Sequence, residues 1–144
     1  MTATSANAAA ARLALAHGAR CATDVTGFGL LGHAWNVARA SHVGLRIEMA
    51  ALPVHEHFHR LARAGVSTGC TKPNRKNVEG HLQLADDWLK EELDILYDPQ
   101  TSGGLLVAIE AASADALHRD LVAAGHRAAI VGELLQGPER IEVV

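Results

Sequence analysis

The segment Arg20–His33 narrows the fold most: an alternating stretch runs into closely spaced glycines and out into a helical pattern. Arg20 to Val25 reads as a short strand, Gly27 and Gly29 as a turn, and Leu30, Leu31, Ala34, Trp35 and Ala38 recur at helical spacing as far as Ser41. His33, Asn36 and Arg39 fall on the other face of that helix. A strand that turns directly into a helix commits the chain to stacked layers of sheet and helix. The remaining periodicities agree. Ser5–His17 reads as a helix ended by Gly18, and Leu45, Ile47 and Met49 alternate with Arg46 and Glu48 as a strand covered on one face. Residues 53–64 read as an amphipathic helix with Pro53 in its first turn, residues 65–80 as a long irregular loop, and Leu82–Leu89 as a short helix. Leu93–Asp98 and Leu105–Ile109 read as strands around the turn Pro99–Gly104. Ser113 caps a helix closed by Gly125, and residues 128–134 and 140–144 supply the last strands. With no repeat and no linker, the expectation is one α/β or α+β domain over residues 1–144, its helices covering a mixed sheet.

Composition limits the function classes. The 144 residues are 49% hydrophobic and 20% charged, which excludes a disordered chain, and only 3% aromatic, so the core must be aliphatic. No apolar run reaches about 18 residues, and the Ala-rich start has no basic segment leading an apolar one, so no membrane span or leader is expected and the reading is cytoplasmic. A formal charge of -3 gives no electrostatic footprint for nucleic acid or an anionic membrane. Any anion handled here must be gripped locally, by metal ions or backbone amides. Cys21 and Cys70 are expected to be free thiols.

The chemistry concentrates in three places. Asp24 stands at the end of the first strand, and the glycine turn after it leads into a helix N-terminus, where backbone amides attract anions. A carboxylate beside such a site repels phosphate unless a divalent cation lies between them, so Asp24 reads as a Mg²⁺ ligand; a capping or turn role is the alternative. Gly27, Gly29 and Gly32 also satisfy G-x-G-x-x-G, with Glu48 ending the next strand, which keeps a dinucleotide-binding reading open. Gly69–Asn74, with Lys72, Arg75 and Lys76, suits phosphate or substrate, or is a mobile surface loop. Pro99–Gly104 is the third place, and alone it is only a turn. His55 and His59 would share a helix face, but no third metal ligand is specified. Trp35, Trp88 and Tyr97 read as packing residues.

Taken together, Ala22-Thr23-Asp24-Val25-Thr26-Gly27-Phe28-Gly29-Leu30-Leu31-Gly32-His33, Gly69-Cys70-Thr71-Lys72-Pro73-Asn74 and Tyr97-Asp98-Pro99-Gln100-Thr101-Ser102-Gly103-Gly104-Leu105-Leu106 resemble the C-terminal domain of the selenophosphate synthetase (selenide, water dikinase) family, in order and over the whole chain. The resemblance implies a three-layer α/β/α sandwich of the AIR synthase C-terminal type. It further implies an ATP-dependent synthesis of selenophosphate from selenide and water, releasing AMP and orthophosphate, with Mg²⁺ and usually K⁺. In that pattern Asp24 is the Mg²⁺ ligand; Gly69, Thr71 and Asn74 match the family's middle motif, and Thr71 and Asn74 are the cofactor-binding positions it implies. Cys70 and Pro73 depart from the family's G-G-T-x-R-N, so the arginine's role finds no residue here. Neither Cys21 nor Cys70 matches the family's nucleophile, which belongs to an N-terminal domain with most of the ATP-binding acids. The expectation is therefore a C-terminal domain that meets ATP and selenide through an absent domain, is inactive alone, and is homodimeric in the full enzyme. A non-catalytic binding or self-association module is the alternative.

Overall fold

The computed structural model describes residues 3–85 and 88–144. The chain begins with α1 (Ala3–Ala16), β1 (Cys21–Asp24), α2 (Gly29–Ser41) and β2 (Gly44–Ile47). A 3-10 turn (Met49–Ala51) precedes α3 (Phe58–Arg63) and α4 (Thr71–Val78), and a second (Glu79–His81) leads into β3 (Leu82–Leu84). Then come α5 (Lys90–Tyr97), β4 (Leu105–Ala108), α6 (Ala111–Ala123), β5 (Gly132–Leu135) and β6 (Ile141–Val143). The mixed α/β architecture expected from the sequence is the one the chain adopts.

The strands form two sheets. β1 pairs antiparallel with β4, with Asp24 opposite Leu105. The larger sheet has the order β3-β6-β2-β5, with β6 parallel to both β2 and β3 and β5 antiparallel to β2. Arg46 lies opposite Glu133 on one neighbour and Glu142 on the other and pairs with both, at 2.7 and 3.1 Å. Opposite charges set directly across a ladder help fix its register.

α2 organises the core because its apolar stripe is wide enough to be covered from two sides. Leu31, Ala34 and Ala38 are fully buried among Leu45, Ile47, Ile141 and Val143 of the large sheet and Val78, Leu93, Leu96 and Tyr97 of α4 and α5. Burying each large aliphatic side chain contributes roughly 1.5–3 kcal/mol, so this aliphatic cluster holds the elements around the glycine turn in place. α1 packs on α6 and β4, where the His17 ring meets Asp120 at 2.8 Å. No helix among the described residues is long and apolar enough to cross a membrane.

Several elements differ from the sequence expectation. The helix expected over 53–64 is confined to α3, and the supposed loop 65–80 contains α4. α4 escapes detection because its inward positions are Thr71, Asn74 and Val78, two of them polar. Leu82–Leu84 is a strand rather than a helix, recruited by parallel pairing with the distant β6; the end of that predicted helix includes residues 86 and 87, outside the described residues. Of Leu93–Asp98, expected as a strand, residues 93–97 belong to α5 and Asp98 is the extended residue that ends it. Leu93, Leu96 and Tyr97 share its buried face, and the Glu92 carboxylate accepts the Leu89 N–H at its start. α6 begins at Ala111, placing Ser113 inside its first turn rather than at the cap. Residues 128–131 stay outside the ladder that β5 forms.

Candidate functional site

The three motifs converge on the turn between β1 and α2. Val25 donates its N–H to the Gly104 carbonyl at 2.9 Å, and Gln100 donates its own to the Thr26 carbonyl at 3.0 Å, so the first and third motifs are stitched together just beyond Asp24. Glycine is required at both points of contact. Gly29 has φ +70°, and a Cβ there would lie 2.6 Å from the Tyr97 carbonyl carbon; a Cβ on Gly103 would fall on the Val25 carbonyl oxygen. From α1, Asn7 donates to the Gly103 carbonyl at 2.9 Å.

The second motif enters through Asn74. Its Nδ2 donates to the Gly27 carbonyl at 2.8 Å and to the Tyr97 carbonyl at 2.9 Å, so one side chain joins all three motifs. Asn74 and Thr71 are both 6% exposed, and the Thr71 hydroxyl bonds that of Thr68 at 3.1 Å. The loop positions matched by the resemblance thus face inward, behind the turn, with both amide hydrogens of Asn74 already used. Arg75, next on α4, pairs with Asp94 at 3.1 Å and lies over the Tyr97 ring, 4.9 Å from its centroid. Burial pushes the Tyr97 phenol up, and the Arg75 charge opposes that shift. Burial also raises the half-buried Asp98, against a 2.8 Å hydrogen bond from Gln100 Nε2 and with the charge of Asp94 adding to the rise.

Asp24 stands apart from this network. It is exposed at the end of β1, and its carboxylate has no hydrogen bond or ion pair among the described residues. Beyond the glycine turn that follows it, the first turn of α2 has Phe28 at its N-cap and no capping side chain; the Gly29 N–H is used by the Thr26 carbonyl at 3.1 Å, and the amides after it are left to attract an anion. No group of three or more His, Cys, Asp or Glu is gathered as a metal cage among the described residues. A single free carboxylate next to an anion-attracting helix end suits Mg²⁺, which takes one or two carboxylates and fills its shell with phosphate oxygens and water. It does not suit Zn²⁺, whose structural sites use four protein ligands.

Other candidates separate. His55 and His57 precede α3 and His59 lies within it, so the expected shared helix face of His55 and His59 does not form. Cys21 and Cys70 are free thiols. The dinucleotide reading is overturned by topology: it needs β1 and β2 side by side and parallel, whereas β1 pairs with β4 and β2 lies in the other sheet. His33, placed on the solvent face by its helical position, is buried against the turn. Nothing in the sequence announces that burial or the double bridge from Asn74.

The chain belongs to the family described as AIR synthase related protein, C-terminal domain, whose model matches residues 2–144.

Within that class the chain is similar to selenide, water dikinases. It is 39% identical over 143 residues to that of Burkholderia ambifaria, covering 99% of this chain and 40% of the relative, and 41% identical over 123 residues to that of Rhizobium meliloti, covering 85% and 35%. The chain thus spans about 40% of the length of the Burkholderia relative it matches. Thiamine-monophosphate kinase from Stenotrophomonas maltophilia shares the fold, with a TM-score of 0.55 at 20% identity over 87% of this chain and 31% of that one.

Proposed function

We propose that this chain is the portion of a selenide, water dikinase that supplies a Mg²⁺ ligand, Asp24, to an ATP site shared with the rest of the enzyme. The overall reaction of the reading converts ATP, selenide and water to selenophosphate, AMP and orthophosphate, with K⁺ as the second cation the resemblance implies. The observation that carries it is the convergence of three separated motifs behind one free, exposed carboxylate. Bound Mg²⁺ would supply charge neutralisation at the phosphates. Asp24 would hold that charge at the end of β1, and the first turn of α2 would present amides to the same anion. Thr71 and Asn74 belong to the nucleotide site as its backing: they fix the Gly27 carbonyl and the Tyr97–Gly104 turn, rather than reaching out with their own polar atoms.

The test is a chimaera in which this chain replaces the matched 40% of the Burkholderia ambifaria enzyme, assayed for selenide-dependent AMP formation. The reading expects turnover from the chimaera and none from the 144-residue chain alone. A folded chimaera that binds ATP yet forms no AMP with selenide would contradict it.

A further inference from the structure

We infer that His33 is a positioning residue for the Asp24 carboxylate, an inference that rests on reading Asp24 as a metal ligand. His33 lies in the second turn of α2 with only 8% of its surface exposed. Its Nε2 accepts the Thr26 backbone N–H at 3.0 Å and faces the Thr26 hydroxyl at 3.1 Å. A backbone N–H can only donate, so Nε2 carries no hydrogen and the ring is the neutral form protonated at Nδ1. That Nδ1 points toward the Thr23 hydroxyl in a long contact of 3.5 Å. One ring therefore spans the segment from the residue before Asp24 to the second residue after it. The Phe28 ring covers the same imidazole, tilted, with centroids 5.7 Å apart. Among the described residues the carboxylate itself has no hydrogen-bond or ion-pair partner, so the direction in which it leaves β1 is set by the backbone on either side. His33 braces that backbone from inside. Groups that orient a metal ligand without touching the metal commonly matter for its affinity.

The test uses the chimaera with the Burkholderia ambifaria enzyme, loaded with a non-hydrolysable ATP analogue so that every part of the shared site is present, and Mn²⁺ as the probe, followed by paramagnetic broadening of assigned backbone amides of this chain. In the unsubstituted protein Mn²⁺ should broaden Thr23–Thr26, and Asp24→Asn should weaken that effect more than any change at His33. His33→Leu should need about tenfold more Mn²⁺ for the same broadening, with faster hydrogen exchange at the Thr26 amide. His33→Gln, whose side-chain oxygen can accept that amide, should recover most of the lost affinity. Equal broadening in the unsubstituted protein and His33→Leu would overturn the positioning role while leaving Asp24 as ligand. Absence of broadening in the unsubstituted protein would instead overturn the Asp24 reading, and this inference with it. Should His33→Leu fail to fold, the ring nitrogens of the unsubstituted protein and the Gln variant still decide: a protonated Nε2, or a Gln variant with a protected Thr26 amide and weakened Mn²⁺ binding, refutes the bridge.

Discussion

Replacing Asn74 with alanine removes the side chain that ties the three motifs together. Both hydrogens of its amide are donated, to Gly27 O at 2.8 Å and to Tyr97 O at 2.9 Å. The two acceptors fare differently when the donor goes. Gly27 is exposed, so its carbonyl can turn to water and the loss there is about 1 kcal/mol. Tyr97 is only 2% exposed, and its carbonyl is left without that donor, at a cost of about 2–3 kcal/mol. Alanine's better helix propensity inside α4 returns about 0.5 kcal/mol. The net expectation is a loss of about 3 kcal/mol, or about 8 °C in Tm for a chain of this size, read by urea and thermal unfolding. Asn74→Asp should be worse at neutral pH, because a carboxylate would face two carbonyl oxygens, and should recover partly in acid when one oxygen can donate. A loss under about 0.5 kcal/mol for Asn74→Ala would refute the clamp and return Asn74 to the role of a loop residue awaiting a ligand.

Gly29→Ala should cost about 3 kcal/mol, from the positive φ and the collision with the Tyr97 backbone, whereas Gly104→Ala, where a Cβ meets nothing within 4 Å, should stay within about 0.5 kcal/mol by the same unfolding assay. The folded protein holds a proton on Asp98 more tightly than the unfolded chain does, so this group's favourable contribution is present below the ordinary carboxylate range and is lost as pH rises through its raised pKa. Asp98→Asn should therefore match or exceed the parent's stability at pH 7 and lose that advantage below about pH 4, as urea midpoints at the two pH values will show. Glu142 has the opposite sign: hydrogen bonds from Arg140 and Arg46 lower its pKa, so its contribution holds above the ordinary carboxylate range and disappears as pH falls through the lowered value. Glu142→Gln should flatten the acid limb of the stability curve.

What could be read from the sequence was local. The helical stripe Leu31, Ala34, Ala38 and the alternation at Leu45 and Ile47 stand out because a single face of each element is apolar and the partner need not be known. Leu93–Tyr97 misled because Leu93, Ile95 and Tyr97 alternate as they would in a strand; burial selects the set Leu93, Leu96 and Tyr97 instead, once α4 and α2 arrive to cover it. α4 was invisible for the complementary reason, since its buried face is specified by hydrogen bonds to distant carbonyls rather than by hydrophobicity. The position of Asp24 before the glycine turn could be inferred, but the mechanism that holds the turn could not: Gly29 against Tyr97 and Gly103 against Val25 are contacts between segments far apart in sequence.

The central claim is tested most directly by Asp24→Asn in the chimaera with the Burkholderia ambifaria enzyme, measuring selenide-dependent AMP formation and Tm on the same preparation. The carboxylate has no partner among the described residues, so its loss should leave stability within about 0.5 kcal/mol. Removing a hard anionic ligand from the phosphate site should lower turnover by about a hundredfold or more, the scale of a lost transition-state charge contact of about 3 kcal/mol. A variant that turns over normally would contradict the metal-ligand assignment, and a melting temperature lowered by several degrees alongside that activity would identify Asp24 as a structural residue of the turn.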